Sequence, residues 1–207
     1  MGSIDRMEPG RRRRGLSKGD QRELDILAAT RRLVEDKPLR QITIDEIARA
    51  AGISRSSFYF YFDSLAAVVT HLMGEIAEEM HRESAEWLDG QGSGVESLRR
   101  TMATSARLWR THGALLRQVM TAPDPEPAFA ELRERLVSDG VRQASARITR
   151  DRAAGLAPPG PPADVLARTL LVMKYAVLAG DSGADPDETV DTLVTIVRRA
   201  IYGRVED

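Results

Sequence analysis

Two short helical patterns joined by a glycine, within residues 43–62, constrain the fold of this chain more than any other feature. Residues 43–46, with a Thr and a Glu three positions apart, fit a capping box that satisfies free amides at a helix start. Small and apolar residues then recur with helical spacing at Ile44, Ile47, Ala48 and Ala51. Gly52 tolerates the positive φ of a tight turn, and Ser54 suits the cap of a second helix that continues to about Phe62. The pattern predicts a helix-turn-helix.

The second helix of this pair presents two different faces. Phe58 and Phe62 are four residues apart, so both are expected to point into the body of the protein, as are Ile47 and Ile53. The opposite face and its flanks carry hydroxyl, guanidinium and aromatic groups: Arg55, Ser56, Tyr59 and Phe60, with Ser57 and Tyr61 at the sides. Core packing explains such a set of exposed groups poorly, whereas binding of this face in a groove of double-stranded DNA explains it well.

Each of these side chains has a plausible partner on DNA. Arg55 can donate to the O6 and N7 atoms of a guanine, and Ser56 and Ser57 can reach base edges or phosphates. Tyr59 or Phe60 can contact thymine methyl groups. Tyr61 and the amides at the helix start suit phosphate. The alternative is two ordinary core helices joined by a glycine turn, which leaves the exposed groups unexplained.

The rest of the chain also has helical periodicity and shows no alternating strand pattern and no internal repeat. About nine helices are predicted: 21–37, 43–51, 54–62, 64–88, 95–111, 113–121, 128–153, 163–179 and 187–202. We therefore expect an all-α protein with a three-helix head and a larger C-terminal helical domain. The expected divisions are a flexible basic arm over 1–19, a DNA-binding domain over 20–66 and the C-terminal domain over 67–207.

The segment ITIDEIARAAGISRSSFYFYF, residues 42–62, resembles the DNA-binding region of the TetR family of repressors. Within that family, GISRSSFYFYF and the terminal IYG are similar to the subgroup of the mycobacterial ethionamide-resistance regulator. The motif-level resemblance covers about residues 21–70. It implies a homodimer with two recognition helices, a C-terminal domain that encloses an effector pocket, and release of a palindromic DNA operator when the pocket fills.

The resemblance also implies residue roles. Arg55, Ser56, Ser57 and Tyr59 would contact bases. Tyr61 and the start of the fourth helix of the chain would contact DNA phosphates, as would Thr43 and Ile44 at the start of the helix-turn-helix. The family commonly has a Lys two residues after the position of Asp63, and this chain has Leu65, which puts that phosphate contact in doubt. A basic arm could replace the lost charge by reaching a minor groove, and its residues are Arg11, Arg12, Arg13 and Arg14.

The C-terminal half suggests a ligand pocket and a subunit interface. Helix 163–179 is apolar almost all round, which is typical of a helix buried on more than one side. The last helix has an apolar stripe of Val190, Leu193, Val194, Val197 and Ile201. These two helices from each protomer could form a four-helix dimer bundle, or else a monomer core. Candidate pocket residues, suited to a small lipophilic effector with few charges, are Trp87, Met102, Trp109, Met120, Phe129, Met173 and Tyr175.

Several classes of function are disfavoured. With no cysteine, the chain has neither disulfides nor thiol catalysis, and it lacks a plausible Ser-His-Asp grouping or cofactor loop, so we expect no enzyme, cofactor or metal. His71, Glu75 and Glu79 share a helix face, but a solvated charged face explains them as well as a metal site. No apolar segment is long enough to span a bilayer, so a cytoplasmic protein is expected. A helical carrier or enzyme with a vestigial head, and a regulator without a small ligand, remain alternatives.

Overall fold

A computed structural model describes residues 18–90, 94–123, 126–180 and 185–203 of the chain. Within these ranges the protein is all helical and contains no strand, which confirms the predicted fold class. The helices are α1 Lys18–Asp36, α2 Ile44–Ala50, α3 Arg55–Phe58, α4 Leu65–Asp89, α5 Val95–Leu116, α6 Pro127–Ala153, α7 Ala163–Ala179 and α8 Pro186–Tyr202. A 3-10 turn follows α1 at Leu39–Gln41, and a π-helical segment follows α5 at Arg117–Thr121.

The predicted and observed helices differ in two places. The helices expected over 95–111 and 113–121 are one element with a kink, since His112 has non-helical φ and ψ of −121° and 20° before the weak helix former Gly113. The third helix ends at Phe58 rather than near Phe62. Its last turn tightens into i to i+3 bonds, with the Phe60 amide donating to the Ser57 carbonyl at 3.2 Å, because the chain must turn back to bury Phe62.

Two apolar clusters fill the interior. The first cluster joins the head, which consists of α1 to α3, to the middle of the molecule. It extends from Ile26 in α1 and Phe58 in α3 to Leu116 in α5. The second, around Leu98 and Leu193, fills the far end. Helix α4 has 25 residues and is therefore about 37 Å long, and it contributes side chains to both clusters. The head is thus packed onto the C-terminal helices and is not attached through a linker alone.

The apolar stripe of α8 is buried inside the chain. All five of its residues are almost fully shielded in the second cluster: Val190, Leu193, Val194, Val197 and Ile201. The expectation that this stripe forms a subunit interface is therefore wrong, because the stripe completes the monomer core. Helix α7 differs, since Val165, Val172 and Val177 stay exposed on its outer face. No helix of the described residues is long and apolar enough to cross a membrane.

Candidate nucleic-acid interface and ligand cavity

The start of α2 is fixed by the capping box that the sequence predicts. The Thr43 hydroxyl accepts from the Glu46 amide at 3.3 Å, and the Glu46 carboxylate accepts from the Thr43 amide at 2.9 Å. Lys37 donates to the same carboxylate at 2.5 Å. The hydrogen bonds from Lys37 and then Thr43 lower the pKa of Glu46 to about 2, so the cap is ionised at any physiological pH.

The turn between α2 and α3 depends on the backbone of Gly52. Its φ is +68°, and a Cβ placed there would meet no atom within 4 Å, so the demand for glycine is conformational and not steric. The Ile53 amide closes the turn by donating to the Ala48 carbonyl at 2.9 Å. Ala48 itself is buried, which lets the chain fold back closely over α2.

Helix α3 is held by a local cap and by one aromatic anchor. The Ser54 hydroxyl accepts from the Ser57 amide at 3.1 Å and lies 2.9 Å from the Ser56 hydroxyl. Phe58 is completely buried, with its ring 6.2 Å from that of Phe62. A helix of only four residues cannot be stable alone, so this packing fixes its orientation.

The outer face of α3 is open to solvent, as the sequence predicts. Phe60 is 87% exposed, Tyr59 is 44% exposed, and Arg55 and Ser56 are also exposed. Ser57 and Tyr61 are half-buried at the flanks. The Phe60 ring therefore contributes little to packing within the chain and is open to contact by a partner.

Arg55 is already oriented across this face. Its guanidinium donates to the Asp45 carboxylate of α2 at 2.7 Å and lies 3.4 Å from the Tyr59 hydroxyl. The hydrogen bond with Tyr59 and the charge of Asp45 raise the pKa of Arg55. An ion pair this exposed contributes little to stability, so a DNA base can replace Asp45 at small cost.

Other predicted contact residues lie around this face or outside the described residues. Thr43 is exposed and Ile44 is half-buried, both at the start of α2. Leu65 is the first residue of α4 and is half-buried, so no cation stands at that position. Arg11, Arg12, Arg13 and Arg14 lie outside the described residues.

The C-terminal helices enclose a cavity of about 280 Å³. Helices α4 to α8 all contribute to its wall, which is mainly apolar, and five of the candidate ligand residues lie on it: Trp87, Met102, Trp109, Met120 and Tyr175. Phe129 and Met173 do not line the cavity. Phe129 packs in the first apolar cluster, and Met173 packs against the second. Both belong to the core.

Sequence reasoning missed the main polar group of this wall. Lys174 lines the cavity and is only 8% exposed, and burial lowers its pKa to about 8. A lysine inside the apolar run of residues 170–179 was the signal that could have identified it. His81 and Asp139 also line the cavity, and the His81 ring lies 3.2 Å from the Gln143 carbonyl oxygen.

The three possible metal ligands on α4 have other partners. Glu75 accepts from Arg31 at 2.5 Å, and Glu79 pairs with Arg107 at 2.8 Å. His71 lies 3.7 Å from Glu23 of α1. Among the described residues, no group of three or more His, Asp or Glu side chains is arranged to hold a metal ion. These charges instead link α4 to α1 and α5.

Comparison with known proteins identifies the head and the cavity domain separately. The sequence profile described as "Bacterial regulatory proteins, tetR family" matches residues 26–72, and the profile "Transcriptional regulator EthR, C-terminal domain" matches residues 98–203. The HTH-type transcriptional regulator EthR of Mycobacterium tuberculosis is 33% identical over 213 residues, covering 94% of each chain. The chain belongs to the TetR family of bacterial regulators.

Solved TetR-like structures share this fold. GusR of Salmonella enterica superimposes with a TM-score of 0.77 at 23% identity, covering 90% of this chain and 98% of its own. The transcriptional regulator FadR of Bacillus subtilis, solved with stearoyl-CoA, gives a TM-score of 0.71 at 12% identity, covering 88% and 99%. At these identities the likeness establishes the architecture alone.

As a TetR-family protein, the chain is a DNA-binding transcriptional regulator, and the matched head contains α2, the turn and α3. The exposed face of α3 lies within the residues that the TetR profile matches, and it is open to solvent. The cavity falls mostly within the helices matched by the C-terminal profile, and α4 supplies the part of the wall that precedes that match.

Proposed function

We propose that this TetR-family protein is a homodimeric repressor that leaves its operator when a small lipophilic ligand fills the cavity. The observation that carries the proposal is a direct link between cavity and head. Leu116 and Met120 line the cavity, and Gln118 between them bonds to the head. Its side-chain carbonyl accepts from the Leu39 amide at 2.5 Å, and its side-chain nitrogen donates to the Val34 carbonyl at 3.3 Å.

This link lies on a segment suited to movement. Residues Arg117–Thr121 are π-helical, and the kink at His112 precedes them. Such π-helical segments are rare and are frequent at functional sites. A ligand that displaces Met120 would therefore shift Gln118 and, with it, the end of α1 and the 3-10 turn that leads into α2.

Helix α4 provides a second route. Its first half contacts the head core through Val68 and Leu72, and its second half lines the cavity at Met80 and Trp87. A tilt of this helix would change the separation of the two heads in a dimer. Half-sites lie about 34–36 Å apart or a multiple of it, so a few ångströms of separation would remove much of the affinity.

On the operator, we propose that Arg55, Ser56, Ser57 and Tyr59 contact bases, with Phe60 against thymine methyl groups. Thr43, the Ile44 amide and Tyr61 would contact phosphates, and the Arg11–Arg14 arm would reach the adjacent minor groove. The exposed face of α3 and the preset orientation of Arg55 support the base contacts. Because such a protein acts on the chromosome, we also infer a cytoplasmic location and a regulatory, non-enzymatic role.

We propose that the partner copy covers α7. Val165, Thr169, Val172 and Ala176 are exposed at helical spacing on one side, and Ile196 of α8 is exposed as well. Val172→Glu places a charge in the middle of this stripe and should give monomers in analytical ultracentrifugation, whereas Arg142→Glu on α6 should not. If the Val172→Glu variant still forms a dimer, the interface does not lie on this side of α7.

The test of the proposed function is a binding cycle. Fragments from upstream of the protein's own gene should be shifted in a mobility assay, with an affinity that falls steeply as salt is raised. A cavity ligand should weaken operator binding, and the operator should weaken ligand binding by the same factor. Equal ligand affinity with and without operator would contradict the proposed control.

A further inference from the structure

Among the described residues that line the cavity, Lys174 is the charged side chain that is buried, whereas Asp139 is exposed. Lys174 is 8% exposed and projects from the middle of α7 into a mainly apolar wall. Its ammonium donates to the Ser105 hydroxyl of α5 at 3.3 Å and lies 5.1 Å from the centre of the Tyr175 ring. Among the described residues, it forms no ion pair with a carboxylate.

The other titratable groups of the cavity wall do not neutralise Lys174. Asp139 of α6 pairs with Arg142 at 2.8 Å. His81 of α4 is engaged with Gln143, and Tyr175 is a phenol whose pKa burial raises to about 12. On the outer side of α7, Arg168 pairs with Glu134 at 2.8 Å.

A buried ammonium without a counter-ion is costly for the fold. Burying a charge in an apolar environment destabilises the fold unless the charge is paired and hydrogen-bonded. The Ser105 hydroxyl and the face of the Tyr175 ring compensate only weakly for a missing counter-ion. The pKa of Lys174 is lowered to about 8 by this burial, so the group is still roughly 90% protonated at pH 7. An anion from outside would supply the missing partner.

We infer that the ligand of the cavity is a monoanionic amphiphile, an aliphatic carboxylic acid whose carboxylate binds Lys174 and Ser105. This inference rests on the proposed ligand control and specifies its ligand class. From Lys174 the tail would run along Trp109 and Met120 towards the segment that carries Gln118. The acid would thus be anchored at a charge and would displace the wall that is linked to the head.

The free acid fits this site better than its coenzyme A thioester. A thioester has no carboxylate, and its charges lie on the phosphates of a large head group. The cavity of about 280 Å³ offers one buried cation and lies at the lower end of the size range of ligand pockets. A single lysine balances one negative charge and not several.

The experiment compares matched ligands on matched variants of the full chain. The ligands are octanoic, decanoic and dodecanoic acids, the methyl ester and alcohol of decanoic acid, and decanoyl-coenzyme A. The variants are Lys174→Met, which removes the charge and keeps an unbranched side chain, and the control Lys18→Met on the exposed start of α1. The two tryptophans of the chain, Trp87 and Trp109, both line the cavity, so intrinsic fluorescence reports binding there, and calorimetry confirms it.

In the wild type and in Lys18→Met, one of the acids should bind at least tenfold more tightly than the ester, the alcohol or the thioester. In Lys174→Met, the acid should lose at least tenfold in affinity while the ester is unchanged or gains. The inference is overturned if the ester or thioester matches the acid in the wild type, if Lys174→Met binds the acid normally, or if no acid binds.

Operator release, measured on the same samples, separates this inference from the proposed function. An ester that binds as well as the acid and releases DNA would leave ligand control standing and remove the role of the carboxylate. An acid that binds only when Lys174 is present, yet leaves operator affinity unchanged, would support the inference and contradict ligand control.

Discussion

The DNA-reading head and the cavity are built in opposite ways. The exposed face of the head comes from the segment 43–62, and local devices such as the Thr43 cap, the Gly52 turn and the Ser54 cap set its shape. The cavity takes its wall from five helices, and Lys174 meets Ser105 across 69 residues of chain. The head places polar groups in solvent for a partner, whereas the cavity keeps one charge out of solvent.

The largest effect should come from the single anchor of α3. Phe58→Ala removes a completely buried ring and should lower the free energy of unfolding by about 3–5 kcal/mol, whereas Phe60→Ala, at an 87% exposed position, should change it by less than about 0.5 kcal/mol. Chemical denaturation followed by circular dichroism measures both. Similar losses in the two variants would mean that α3 is not held as described.

On the exposed side of the same helix, Arg55→Ala should weaken operator binding by about 1–3 kcal/mol and relax specificity at one base pair. The free energy of unfolding should change little, because the Asp45 pair is exposed. Arg100→Ala is the matched control, since its ion pair with Glu86, 2.6 Å long, is equally exposed but lies at the far end of the molecule. Equal operator affinity in the wild type, Arg55→Ala and Arg100→Ala would refute the assigned role of Arg55.

In the cavity, removal of a charge should stabilise the protein. The pKa of Lys174 is about 8 in the folded chain against 10.5 for a free lysine, so its burial costs stability below pH 8, and stability recovers as the pH rises towards 10.5. At pH 7, Lys174→Met should therefore be more stable than the wild type by about 2 kcal/mol, after loss of the Ser105 hydrogen bond. The difference should shrink between pH 8 and 10 in denaturant titrations, and a constant difference would contradict the assignment.

The smallest effect concerns the link between the two regions. Gln118→Ala removes both hydrogen bonds to the head and should reduce the ligand-induced loss of operator affinity by about 1 kcal/mol, with ligand affinity for the free protein unchanged. Thr121→Ala is the control, since its hydroxyl bonds only within its own segment, to the Arg117 carbonyl. If the ligand lowers operator affinity equally in Gln118→Ala and the wild type, α4 and not Gln118 couples the cavity to the head.

The residues that line the cavity could be predicted only in part from the sequence. Large apolar residues identified five positions of its wall, but Phe129 and Met173 satisfy the same criterion and belong to the core. Composition cannot separate a residue that lines a cavity from one that fills a core, because both are apolar and shielded. The same ambiguity placed the stripe of α8 at a subunit interface, while the structure buries it in the chain.

The sequence alone determined the head, because caps, a glycine turn and helical spacing act between residues a few positions apart. It specified the Thr43–Glu46 box, the positive φ of Gly52, the buried Phe58 and the exposed Arg55 face, and it missed only the early end of α3. The tertiary structure alone decided that Lys174 faces the cavity with no carboxylate paired to it among the described residues, and that Gln118 ties the cavity wall to the head. Those contacts depend on how distant helices pack, which no local pattern encodes.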